Sequence, residues 1–145
     1  MKSPIGFGVR HLKKRRYYTD KDILLIDLGK AIDQFEKAMK LPTNDDVVRA
    51  GCIQYFEFCF ELAWKTVKKI AHDLGVQECN SPKSALKFAF SGGWLDEEEV
   101  WLNMLASRNM MSHTYNAADA LKIYDKLPRF VEAIRQLEQF LKKME

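Results

Sequence analysis

Between Ile53 and Lys65 the chain reads Ile-Gln-Tyr-Phe-Glu-Phe-Cys-Phe-Glu-Leu-Ala-Trp-Lys, and no other segment limits the fold as much. Apolar side chains surround most of a helical circumference. The polar exceptions Glu57, Glu61, Lys65 and Lys68 or Lys69 recur about every fourth residue, as one narrow stripe of a helix would. A helix of this kind has to be covered on more than one side, by other helices of its own chain or in part by a second subunit. The stripe reads as a solvated, salt-bridged seam. The same carboxylates, set near a phosphate site, can also hold or orient a substrate base.

The remaining segments supply the cover. Period-two alternation is absent and helical periodicity runs almost throughout, so no strand is predicted. A first helix opens near Thr19-Asp20 with the stripe Leu24, Leu28, Ile32, Phe35, Met39, and Leu41-Pro42-Thr43 ends it. The long second helix starts at Asn44-Asp45-Asp46 and runs to about Leu74, with Gly75 as its left-handed stop. Ser81-Pro82 starts a third that Gly92-Gly93 ends. Asp96, with Glu99 as capping-box partner, starts a fourth whose buried face is Trp101, Leu102, Met104 and Leu105. A short helix follows from Asn116 to Leu127, and Pro128 opens the last, with the stripe Phe130, Val131, Ile134, Leu137, Leu141. The fold class is all-α: an up-and-down antiparallel bundle of four main helices plus short ones.

At 145 residues, 47% hydrophobic and 12% aromatic, the chain can bury a core as one domain, assigned to residues 19–145. Residues 1–18 form a basic extension, flexible and solvated, although Lys13-Lys14-Arg15-Arg16 followed by Tyr17 and Tyr18 also suits phosphate contact with stacking. No apolar run reaches membrane-spanning length and no signal-type stretch follows the N-terminal cations, so the chain reads as soluble and cytoplasmic. Net charge is only +3, and any nucleic-acid contact must be local. Cys52 and Cys59 read as buried hydrophobes and Cys79 as the exposed thiol. Three scattered histidines and no Cys-x-x-Cys give no metal site.

Against this background Arg108-Asn-Met-Met-Ser-His113-Thr-Tyr115 stands out. It sets a permanent cation, a group titrating near neutrality and a phenol in one short segment, enough to cut or hold a phosphate ester without a metal. Composition alone yields such an Arg-x4-His-x-Tyr array in about one chain in two hundred. Positions five apart on a continuing helix diverge, so Arg108 and His113 converge only if the helix ends near Ser112 or the site is shared between subunits. The bland alternative is that both cations merely meet carbonyls at a helix C-terminus. Nucleotidyl transfer by this chain is excluded: it has no Gly-Ser turn before clustered carboxylates and no Walker A sequence, and Asp20-Lys-Asp22 is helix-start charge. No cofactor motif is present.

Taken together, these segments resemble the nucleotidyltransferase substrate-binding family, a branch of the HEPN superfamily, from about Asp22 to the C-terminus. The likeness rests on Arg49 with Ile53 to Lys65, on Ser81-Pro82 with the Ala-Phe pair after it, and on Trp101 to Tyr115 with Arg-x4-His-x-Tyr complete. The resemblance implies a homodimer with its Arg–His segments near a cleft between protomers, and a minimal nucleotidyltransferase protein as partner. It implies one of two functions. One is a metal-independent RNase toxin, silenced when the partner adds AMP to Tyr115. The other is a non-catalytic subunit that presents a substrate, RNA or a nucleotide ligand, to that partner. On the first, Arg108 holds the scissile phosphate, His113 acts as acid or base, and Asn109, Ser112, Glu57 and Glu61 are candidate substrate contacts.

Overall fold

The structure, a computed structural model, describes residues 18–42, 44–111 and 116–144. Five helices follow in order: α1 (Asp20–Ala38), α2 (Asp46–Asp73), α3 (Pro82–Ser91), α4 (Glu98–Met111) and α5 (Ala117–Lys143). No strand occurs among the described residues. None of these helices is long and apolar enough to cross a membrane.

Helix ends follow local chemistry. Thr19 caps α1 in a reciprocal box with Asp22. Asp45 accepts from the Val47 amide at the start of α2, and Ser81 forms a box with Ser84 at α3. At the far ends Gly75 and Gly93 take φ of 94° and 74°, a conformation that favours glycine. There the Val76 amide reaches the Ala71 carbonyl and the Trp94 amide the Ala89 carbonyl, closing the last turns.

The central helix is α2, which packs on α1, α3 and α5; α1 and α5 also meet, and α4 packs on α5 and α3. Phe56, Phe60, Phe130 and Trp101 are buried at its centre, with ring centroids 5.1 Å apart for Phe56–Phe130 and 6.5 Å for Phe60–Trp101. Arg135 of α5 ties α1 down, donating to Asp33 at 2.6 Å and Glu36 at 2.8 Å. On its own helix it meets Glu138, which is 1% exposed, at 3.2 Å. Lys142 approaches the other Glu138 oxygen at 2.7 Å, an ion-pair distance without hydrogen-bond geometry. Gly29 leaves room for this carboxylate, since a Cβ there would sit 3.2 Å from Oε2.

Several expectations need correction. Pro128 starts no helix; it lies inside α5, which runs unbroken for 27 residues. Its exposed position explains this: water can solvate the carbonyl deprived of a donor, while Ile123, Leu127, Phe130 and Ile134 stay buried along one stripe. The fourth helix begins at Glu98, with the Glu97 carbonyl accepting from the Trp101 amide, so Asp96 is not its cap. Helix α1 ends at Ala38, before Pro42, because the amides of Lys40 and Leu41 tighten onto Lys37 and Ala38. On that helix Leu25 takes the buried place expected of Leu24. On α4 the buried set is Val100, Trp101, Met104 and Ser107, and Leu102 is exposed. Cys79 is buried, not exposed: its loop folds back through His72 Nε2, which donates toward Cys79 O and Asn80 Oδ1 at 3.1 and 3.0 Å. Burial pushes its thiol up, and carries that of Cys59 to about 12, so neither is a ready nucleophile.

Candidate functional site

The final turn of α4 carries Arg108 to the flank of α2. The guanidinium Nε lies 3.4 Å from Glu61 Oε2, and both side chains keep about a third of their surface open to solvent, 36% and 33%. That same oxygen accepts the indole N–H of Trp64 at 3.0 Å. The buried indole needs a partner for its one donor, and the carboxylate three residues back supplies it. Arg108 Nη1 makes one long bond, 3.4 Å, to Asn109 Oδ1.

Glu57 lies one turn before Glu61 on the same face of α2. Its carboxyl is pushed up first by burial and then by the charge of Glu61, against the pull of Arg108. Glu57, Glu61 and Arg108 therefore share one electrostatic environment. This revises the expected seam. Among the described residues Glu61 pairs across to Arg108 rather than along α2 to Lys65; Lys69 pairs with Asp73 at 3.3 Å, and Lys68 sits 6.0 Å above the Trp64 ring. Trp64 is the member that sequence reading missed. Its signal was present: an indole three residues after a glutamate, on a helix too apolar to offer other acceptors.

Helix α4 is described as far as Met111, and Asn116 caps the next, its side chain accepting the Asp119 amide at 2.8 Å. An exit near Ser112 was the condition for Arg108 and His113 to converge, and that stretch lies outside the described residues. Ser112, His113 and Tyr115 themselves lie outside the described residues, as do Lys13 to Tyr17 of the basic cluster. The structure thus brings together Arg108, Glu61 and Glu57, with Asn109 beside the guanidinium.

Comparison with known proteins follows this geometry. The family described as "Nucleotidyltransferase substrate binding protein like" matches residues 24–143. A Haemophilus influenzae protein named probable ribonuclease HepT is 30% identical over 109 residues, 66% of this chain and 73% of that one. A crystal structure from Thermus thermophilus superposes with a TM-score of 0.69 at 29% identity, over 76% of this chain and 94% of the other. A second solved structure, from Haemophilus influenzae, is described as revealing the fold of a substrate binding domain of a nucleotidyltransferase. It has a TM-score of 0.60 at 24% identity, covers 84% and 96% of the two chains, and supports the fold alone.

Proposed function

Because the chain belongs to the nucleotidyltransferase substrate-binding family, we propose that it is the HEPN-type partner of a minimal nucleotidyltransferase and acts as a metal-independent RNase toxin. The observation that carries this reading is Arg108: it is half-buried in the last described turn of α4, with its Nε at ion-pair distance from Glu61. Five residues on in the sequence stands His113. The likeness to a probable ribonuclease supports the same reading.

The chemistry is transesterification. A ribose 2′-oxygen attacks phosphorus as a base takes its proton, the phosphorus–5′-oxygen bond breaks, and an acid protonates the leaving 5′-oxygen. The products are a 2′,3′-cyclic phosphate and a 5′-hydroxyl. An unperturbed histidine side chain titrates near pH 6.5 and suits either proton transfer, the role this reading gives to His113. Arg108 pairs with the non-bridging phosphate oxygens and stabilises the charge that builds on them. In a homodimer two such pairs supply both acid and base. Glu57, Glu61, Asn109 and Ser112 are the nearby groups for contacts to bases or riboses. Tyr115 is the regulatory residue: its phenolic oxygen takes AMP from a nucleoside triphosphate bound by the partner, pyrophosphate leaves, and the bulky anion blocks the cleft.

The second reading is a non-catalytic subunit presenting RNA or a nucleotide. The pairing of Glu61 with Arg108 favours it to a degree, because it partly neutralises the guanidinium. The test is cleavage of RNA by purified protein in EDTA, with product ends identified. Metal-independent cleavage with cyclic phosphate ends, lost by at least about a hundredfold in His113→Ala, is expected for the RNase. Absence of cleavage by the unmodified protein, or full activity in His113→Ala, overturns it.

A further inference from the structure

The part of α2 beyond the Arg108 contact carries a line of basic side chains. Lys65, Lys68, Lys69 and His72 stand at spacings i, i+3, i+4 and i+7, which hold them within an arc of about 100° on one helix face. Glu61, the residue that meets Arg108, lies on the same arc one turn earlier. Between α1 and α2 the four basic side chains, with Ile23 and Leu24, border a groove of about 460 Å³. Ile23 is 49% exposed and Leu24 half-buried, so its floor is apolar and open. Lys65 and Lys68 have no ion-pair partner among the described residues; Lys68 instead lies 6.0 Å from the centroid of the Trp64 ring. Lys69 meets Asp73 at 3.3 Å, and among the described residues that line the groove Asp20 is the single carboxylate. His72 closes the far end, its Nε2 committed to Cys79 O and Asn80 Oδ1. Toward the other end of the same arc Phe58 is 51% exposed, with only Tyr55 beside it among rings.

We infer that this stripe is a track for a single RNA strand: Lys65, Lys68 and Lys69 hold phosphates along the groove and lead the strand to Arg108, and Phe58 stacks a base beyond it. Lys65 and the Lys68–Lys69 pair lie about one turn apart, roughly 5.4 Å along the axis, similar to the step between successive phosphates of one strand. An anionic strand placed here gives the two unpaired ammonium groups the partners that the protein withholds. The lysine stems, Ile23 and Leu24 offer apolar surface to its sugars and bases. Glu57 and Glu61, between the lysines and Phe58, accept from base amino groups or ribose hydroxyls rather than from phosphate. A cationic track with an aromatic platform is the arrangement that holds single strands without reading their sequence. A duplex keeps its bases stacked inside and leaves Phe58 no face to cover. The inference rests on the RNA reading above and adds to it a binding surface outside the Arg108–Tyr115 segment.

The experiment is fluorescence anisotropy of a labelled 2′-O-methyl oligoadenylate, about twelve nucleotides long, with the full chain in EDTA. Its blocked 2′-oxygens cannot attack, so binding is read without cleavage. Salt dependence between about 20 and 300 mM counts the phosphates engaged. Lys65→Gln/Lys68→Gln/Lys69→Gln is expected to weaken binding at least about tenfold. It should also flatten the slope of log K against log salt by about 2, since each phosphate contact on a single strand contributes roughly 0.7. Lys37→Gln/Lys40→Gln/Lys122→Gln removes the same charge from exposed positions elsewhere and is expected to leave the slope unchanged. Phe58→Ala is expected to weaken binding about fivefold or more, again with the slope unchanged. Lys65→Gln alone, at an exposed position, should flatten the slope by about 0.7 and stands in if the triple variant does not fold. Equal losses from both lysine sets, or an unaltered slope in the groove variant, overturn the track and leave the RNase reading standing. Tighter binding of a polyglutamate peptide, lost with the same lysines, assigns the face to an acidic protein and overturns it too. So does a parent that binds no oligoadenylate at low salt, whereas the RNase reading falls only if RNA cleavage in EDTA is absent as well.

Discussion

The most consequential single residue in the described part of the site is Glu61, because one carboxylate oxygen serves two partners. Trp64 donates its indole N–H to Oε2 at 3.0 Å, and Arg108 Nε lies 3.4 Å from the same atom. The indole is almost wholly buried, so removing its acceptor leaves a donor without water. Glu61→Leu is therefore expected to cost about 1–2 kcal/mol in denaturant-induced unfolding. Glu61→Gln, whose amide oxygen still accepts, should cost under about half of that. The decisive comparison is the double variant Glu61→Leu/Trp64→Phe, which no longer carries the orphaned donor. If Glu61→Leu costs the same with Phe at 64 as with Trp, the hydrogen bond contributes nothing and Glu61 serves Arg108 alone.

At the scale of helices, the ends were mostly legible and the continuity was not. Thr19, Asp45, Ser81-Pro82, Gly75 and Gly93 act locally, through their own side chains or a positive φ, and each marks its boundary as read. Pro128 misled because proline's effect depends on which side of the helix it occupies, and that is a tertiary fact. It sits on the solvent side of α5, between the buried Leu127 and Phe130, and burial of that stripe outweighs the missing hydrogen bond. The break is suppressed, yet its cost persists. Pro128→Ala restores an amide for the Tyr124 carbonyl and removes the ring's crowding, against a gain of freedom in the unfolded chain. A net stabilisation of about 1–2 kcal/mol is expected, read as a higher urea midpoint at unchanged slope. A neutral or lower midpoint would mean that α5 is bent to fit the proline. The Arg108 segment shows the same division. Its place on the fourth helix was legible in the sequence, whereas its pairing with Glu61 across 47 positions of sequence was not, since only the tertiary approach of its side chain to α2 creates it.

In the whole molecule, α1 and α5 are joined by an ionic cluster that no sequence pattern announces, because its members stand 99 and 102 residues apart. Arg135 bridges Asp33 and Glu36 of α1 and shares Glu138 of α5, and these contacts hold it more firmly cationic than a free guanidinium despite burial. Its role is asymmetric. Water has been taken from Glu138, whose second oxygen has Lys142 close by but no hydrogen bond. Removing Arg135 therefore leaves a buried carboxylate with a single exposed lysine, and leaves Asp33 and Glu36 to repel it. Arg135→Met is expected to cost about 3 kcal/mol, by analogy with broken buried pairs elsewhere. Removing the buried charge as well should recover most of that loss: Arg135→Met/Glu138→Leu fills the same space with apolar atoms and strands no buried carboxylate. Chemical denaturation of both variants separates two accounts of the cluster. If the double variant is as unstable as the single, the ion pairs themselves hold α1 to α5. If it recovers, the apolar seam of Leu25, Leu28 and Ile32 against Ile134, Leu137 and Leu141 holds the bundle closed, and Arg135 chiefly makes a buried glutamate tolerable.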